Sequence, residues 1–190
     1  MRIALLSPYP ERIIAAASIL DTVVVDPPDL TPDKIDFIIS FGHRSIIPAE
    51  TLEPYGERAI NIHISMLPWN KGSDPNFWSW YDNTPKGVSI HVLSKGLDAG
   101  DILFQRKMEW SDPKATLRST YADLMNEADK LFASAWPILR KGQGPRAMQP
   151  KGGSYHRSTD KADIWSRLPL GFDTPVSTVA ALKSQVNGGG

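Results

Sequence analysis

The chain is decided by the stretch Ala59-Ile60-Asn61-Ile62-His63-Ile64-Ser65-Met66-Leu67-Pro68 and its sequel Lys95-Gly96-Leu97-Asp98-Ala99-Gly100-Asp101. Asn61 and His63 alternate with Ile60, Ile62 and Ile64. On a strand, side chains two apart share a face. An amide and an imidazole therefore project together, with the isoleucines packed behind them. An amide N–H beside an imidazole suits the stabilisation of a developing oxyanion. Asp98 stands in a Leu-Asp-Ala-Gly-Asp turn that can bring a carboxylate back to the imidazole. Singly, each residue has a plainer explanation: a turn-forming Asn, a hydrogen-bonded structural His, an Asx-turn Asp. The specificity lies in the combination.

Working outward, short apolar runs alternate with helical stretches. Arg2 to Leu6 reads as a buried strand ended by Ser7-Pro8-Tyr9-Pro10. Helix is expected over Glu11 to Leu20, and strands over Thr22 to Val25, Asp36 to Ser40 and Ala59 to Ile62. Pro48 opens a short helix near Ala49 to Glu53. Strand alternating with helix predicts an α/β fold. With connections this short, it is a trimmed Rossmann-like, mostly parallel sheet. Gly87 to Leu93 and Asp101 to Lys107 add an antiparallel extension, and Thr116 to Leu139 supplies a long C-terminal helix. Its stripe of Leu117, Tyr121, Leu124, Ala128, Leu131 and Ala135 reads as structural. Pro75 to Tyr81 is expected to be a short helix, with Phe77, Trp78, Trp80 and Tyr81 filling core or walling a cleft. Residues 1–145 form the expected catalytic domain. Residues 146–190 are a less regular tail packed on it, with a short helical segment at Lys161 to Leu168 and frayed residues from Val186 to Gly190.

Composition narrows the function. With 190 residues and 41% hydrophobic content the chain can bury one real core. The formal net charge is zero, which points away from nucleic acid and from anionic membrane surfaces. No apolar run approaches a membrane span. The absence of cysteine excludes disulfides, cysteine nucleophiles and zinc–thiolate sites, and fits the cytoplasm. No metal is called for. Ser7-Pro8-Tyr9-Pro10 after the first strand offers no glycine cradle for a dinucleotide pyrophosphate.

The central stretch resembles the folate-dependent formyltransferase family. The resemblance rests on Asn61-Ile62-His63-Ile64-Ser65-Met66-Leu67-Pro68, Lys71-Gly72, Phe77-Trp78, Gly87-Val88-Ser89-Ile90-His91 and Leu97-Asp98-Ala99-Gly100. Ile64 and Met66 depart from the usual Pro and Leu without touching the chemistry. The resemblance implies 10-formyltetrahydrofolate as donor and direct attack by an acceptor amine. Asn61 and His63 would stabilise the formyl oxygen, and Asp98 would orient His63 and receive the amine proton. It also implies a pterin slot between Phe41-Gly42-His43 and the loop bearing Leu93, Gly96 and Leu97. Ser65, Lys71, Tyr155, His156 and Arg157 are the candidate acceptor contacts, and His91 is read as structural. The expected acceptor is a small-molecule amine, such as an amino sugar or modified amino acid. A homodimer is compatible with this. The missing phosphate loop argues against a ribosyl-phosphate amine, and the lack of a basic extra barrel argues against initiator tRNA. Hydrolysis of the same folate, or folate or nucleotide binding without catalysis, are the rival functions.

Overall fold

A computed structural model describes residues 1–168 and 170–187. Its centre is a six-stranded sheet in the order β2-β1-β3-β4-β6-β7. β1 (Arg2–Leu6), β2 (Thr22–Val25), β3 (Phe37–Phe41) and β4 (Ala59–His63) run parallel. β6 (Lys86–Val92) turns antiparallel against β4, and β7 (Ile102–Met108) against β6. This is the expected mixed sheet. β3 is buried along its whole length, as a parallel strand covered on both faces must be.

One face of the sheet packs under α1 (Pro10–Ala17) and α4 (Leu117–Leu139). α4 begins at a capping box: the Thr116 hydroxyl accepts from the Ser119 N–H at 3.1 Å, and the Ser119 hydroxyl accepts from the Thr116 N–H at 2.9 Å. Its stripe from Leu124 to Leu139 enters the main core, Leu117 joins a separate cluster with Phe77 and Trp78, and Tyr121 stays half-buried and turns toward a cleft. The opposite face is covered thinly by Ile35, Leu52 and Tyr55 around α2 (Ala49–Leu52). No helix joins β2 to β3, and this is where the fold is trimmed.

The tail is more regular than the sequence reading. β8 (Tyr155–His156) pairs in parallel with the two-residue β5 (Lys71–Gly72). α5 (Ala162–Trp165) is shorter than expected. α6 (Val176–Asn187) forms a twelve-residue helix whose Val176 and Val179 pack on α3 (Pro75–Tyr81). A Thr-Pro pair ahead of valines three apart is a helix-start pattern, masked in the sequence by the irregular residues before it. Phe77 and Trp78 are buried in this third cluster, so they serve as core. Of the stretch expected to fray, Val186 and Asn187 end α6, and residues 188–190 lie outside the described residues. No helix of the described residues is long and apolar enough to cross a membrane.

The chain leaves β1 for β2 on one side and reaches β3 on the other. The crevice beyond the carboxyl ends of β1 and β3 is thus where a ligand belongs on such a sheet.

Candidate active site

A cleft of about 640 Å³ opens at those strand ends, within the usual range for small-molecule sites. β4 delivers Asn61 and His63 to its floor, with Ile60 and Ile62 fully packed on the other face. Asp98 arrives from the turn between β6 and β7. Its backbone is left-handed at φ 48°, a conformation Asp tolerates better than most residues. The side chains of Asn61, His63 and Asp98 meet as the sequence anticipates.

The contacts fix which atoms face the cleft. His63 Nε2 lies 2.9 Å from the Asn70 carbonyl and 3.7 Å from Asp98 Oδ2. Both are acceptors, so Nε2 carries the proton. Nδ1 is left without a protein partner among the described residues. Asn61 Nδ2 donates to Asp98 Oδ1 at 3.1 Å and lies 3.2 Å from His91 Nε2. His91 Nδ1 is 2.9 Å from the Val92 carbonyl and must donate there, which leaves Nε2 to accept from Asn61. Both Asn61 N–H groups are therefore committed, and its Oδ1 is the end left for a ligand. This differs from the sequence expectation, which aimed an Asn61 N–H at the substrate. The cause is His91, placed directly opposite Asn61 by the β4–β6 register. That pairing is invisible until the strands are docked.

Asp98 is buried and accepts a further bond from the Gly72 N–H at 2.8 Å. Burial alone would raise its carboxyl. The His63 ring beside it and the Gly72 N–H outweigh it and hold the group well below the usual carboxylate range. Asp98 is thus a fixed negative charge at neutral pH. It is better suited to stabilising a cationic neighbour than to accepting a proton.

The other expected site residues divide. Phe41, Gly42, His43, Leu93, Gly96 and Leu97 all line the cleft. Leu97 is 52% exposed, and the neighbouring Ile46 is 83% exposed. A flat heterocycle held between these segments would cover that apolar surface. Ser65 is buried away from the cleft, where its carbonyl accepts from the Ser89 hydroxyl at 2.7 Å. Lys71 and Tyr155 face each other across the β5–β8 ladder. His156 stacks on Trp78 at 3.9 Å between ring centres, with Nε2 3.0 Å from Asp82 Oδ2 as a charge contact, not an aligned hydrogen bond. Arg157 is exposed. None of these five lines the cleft, although Ser158, one residue on, does. The cleft continues over Tyr9 and Tyr121 into a side groove bordered by Arg44, Arg118 and Phe172. Arg118 is paired with Asp173, whereas Arg44 is exposed and has no side-chain partner among the described residues.

Proteins of similar sequence and the same fold are known. The profile of the family described as formyl transferase matches residues 28–135. The chain is 28% identical over 117 residues to methionyl-tRNA formyltransferase of Desulforamulus reducens, and 30% identical over 121 residues to that of Clostridioides difficile. Those matches cover 61% and 63% of this chain but only 37% and 38% of the relatives. Among solved structures, the formyltransferase PseJ of Anoxybacillus kamchatkensis is 41% identical. It superposes with a TM-score of 0.85 over 94% of this chain and 97% of its own. That protein was crystallised with UDP-4,6-dideoxy-4-formamido-L-AltNAc and tetrahydrofolate. A 4-N formyltransferase from Francisella tularensis shares the fold at 20% identity, with a TM-score of 0.78 over 96% of this chain and 85% of its own. A family profile along residues 28–135, and a solved formyltransferase alike along nearly its whole length, place the chain in the formyl transferase family.

Proposed function

We propose that the protein transfers a formyl group from 10-formyltetrahydrofolate to the amine of a nucleotide-linked amino sugar. The observation that carries this reading is the near end-to-end likeness to PseJ, which holds a formamido UDP-sugar and tetrahydrofolate. The site supports it. The slot between Phe41–His43 and Leu93–Leu97 takes the donor's pterin, which puts the formyl group over Asn61 and His63. The acceptor enters from the opposite side, over Tyr9 and Tyr121, with its diphosphate toward Arg44. Burial and the Tyr9 hydroxyl push the Tyr121 phenol up, so it stays a neutral hydrogen-bonding group.

His63 does the proton work in this reading. Asn61 Oδ1 accepts from the incoming amine and aims its lone pair at the formyl carbon. As the new C–N bond forms, His63 takes the amine proton on Nδ1. Asp98, 3.7 Å from the far nitrogen, balances the resulting imidazolium. The protonated Nδ1 donates to the formyl oxygen as charge builds there. It then returns the proton to the donor nitrogen as the old C–N bond breaks. Asp98 keeps its charge throughout, as the carboxylate does in a Ser-His-Asp triad.

The test is an acceptor panel under saturating 10-formyltetrahydrofolate, following tetrahydrofolate by absorbance. Turnover should need a nucleotide-linked amino sugar and be far slower with the free amino sugar. Formate release at the same rate with no acceptor would instead make the protein a hydrolase. Folate binding without any turnover would make it a binder.

A further inference from the structure

Two elements hold the reacting centre from behind, and both are themselves held by residues beyond the stretch that the family profile covers. The first is the loop before α3. Its Asn70 carbonyl takes the His63 Nε2–H, and its Gly72 N–H reaches Asp98 Oδ2. Asn70 is fully buried. The Ser154 hydroxyl accepts from the Asn70 N–H at 2.9 Å and donates to the Asn70 side-chain oxygen at 3.1 Å. The Lys71 N–H donates to the Ser154 carbonyl, and the Ser73 N–H to that of His156, each at 2.9 Å. A Cβ on Gly72 would collide with the His156 carbonyl oxygen, so the two segments touch backbone to backbone. The second element is the turn carrying Asp98. The Gln149 amide nitrogen donates to the carbonyls of Asp98 and Gly100, both at 2.8 Å.

We propose that residues 147–156 act as a strap that positions the active site, with Ser154 and Gln149 as its positioning residues. Ser154 fixes Asn70, and Asn70 dictates which nitrogen of His63 faces the cleft. Gln149 fixes the backbone of the Asp98 turn. Neither side chain lines the cleft, so neither should contribute to substrate affinity. The strap rests on the reading of Asn61, His63 and Asp98 as the reacting centre.

The experiment combines kinetics with a readout that needs no turnover. Ser154→Ala, Ser154→Thr and Gln149→Ala are compared with the natural chain for kcat, both KM values and Tm. The ring nitrogens of His63 are followed by 15N NMR, assigned with a His63→Gln sample. Ser154→Ala should lower kcat about tenfold, as slight misplacement of a reacting group does, with both KM values within about twofold. His63 should lose its exclusive Nε2–H form, and Ser154→Thr should restore both properties. A Ser154→Ala protein with unchanged kcat and an intact Nε2–H form would overturn the proposal. So would a loss that follows Tm and is not restored by Thr. Should Ser154→Ala not fold, Gln149→Ala carries the same test through kcat against KM. Should no nucleotide sugar be formylated at all, the proposed function fails, while the nitrogen spectra still decide whether the strap sets His63.

Discussion

Replacing Asp98 by Asn removes one charge and almost no volume. When His63 takes the amine proton, a positive charge appears 3.7 Å from Asp98 Oδ2. At an effective dielectric near 20, a unit pair at that distance interacts by about 4 kcal/mol. Only part of that charge has developed at the transition state, so the rate should fall by about 10²–10³. The amide also cannot satisfy both neighbours. The carboxylate accepts from Asn61 Nδ2 and from the Gly72 N–H, and an amide offers one oxygen to two donors. Losing one charge-assisted bond at a buried site should cost about 2 kcal/mol of stability, which lowers Tm by roughly 4–8 °C in a chain of this size. The assay is single-turnover formyl transfer with both substrates saturating, beside a thermal melt. Folate and acceptor affinity should hold within about threefold, because Asp98 stabilises charge that arises only during reaction. A variant that keeps a third or more of the natural rate would refute the role given to the carboxylate.

His63→Ala and Asn61→Ala should each remove most turnover while folate binding stays within about tenfold, and the double variant should lose less than the two losses combined, since the groups act as one unit; both quantities come from single-turnover rates and folate titration. Arg44→Ala should raise the KM of a nucleotide-linked acceptor about tenfold with kcat nearly unchanged, the loss expected for one charge-assisted bond to a diphosphate; no change in KM would place the phosphates elsewhere. Asp21 is held down at about 2 by the Arg140 guanidinium, which donates to it at 2.8 and 2.7 Å. Its folded value lies below its unfolded one, so its contribution to stability is complete above the ordinary carboxylate range and drains away as pH falls toward 2. Asp21→Asn should flatten that part of the stability–pH curve, as read by urea melts at stepped pH.

The sheet was legible because its signal is local. Ile60 and Ile62 pack behind Asn61 and His63 in the alternation that the sequence shows, and α4 carries its apolar residues at helical spacing. Asn61, His63 and Asp98 could be named together because their motif is distinctive. What the sequence hid depends on partners far along the chain. His91 acquires its role from strand register, Asn70 from Ser154 in the tail, and the Asp98 turn from Gln149. Arg44 and Tyr121 line the cleft because the loop after β3 and the first turns of α4 meet there, and no local pattern marks that. The β5–β8 ladder is two residues long, too short for any periodicity to announce it.

The most direct test follows an isotopic label from donor to acceptor. The protein is given 10-formyltetrahydrofolate carrying 13C in its formyl group and a UDP-linked 4-amino sugar, and the products are separated and weighed by mass spectrometry. The predicted result is a nucleotide sugar bearing the labelled formyl on its amine, formed in step with tetrahydrofolate and nearly abolished by Asp98→Asn. Label recovered as free formate, or a labelled sugar formed equally well without the Asp98 carboxylate, would contradict it.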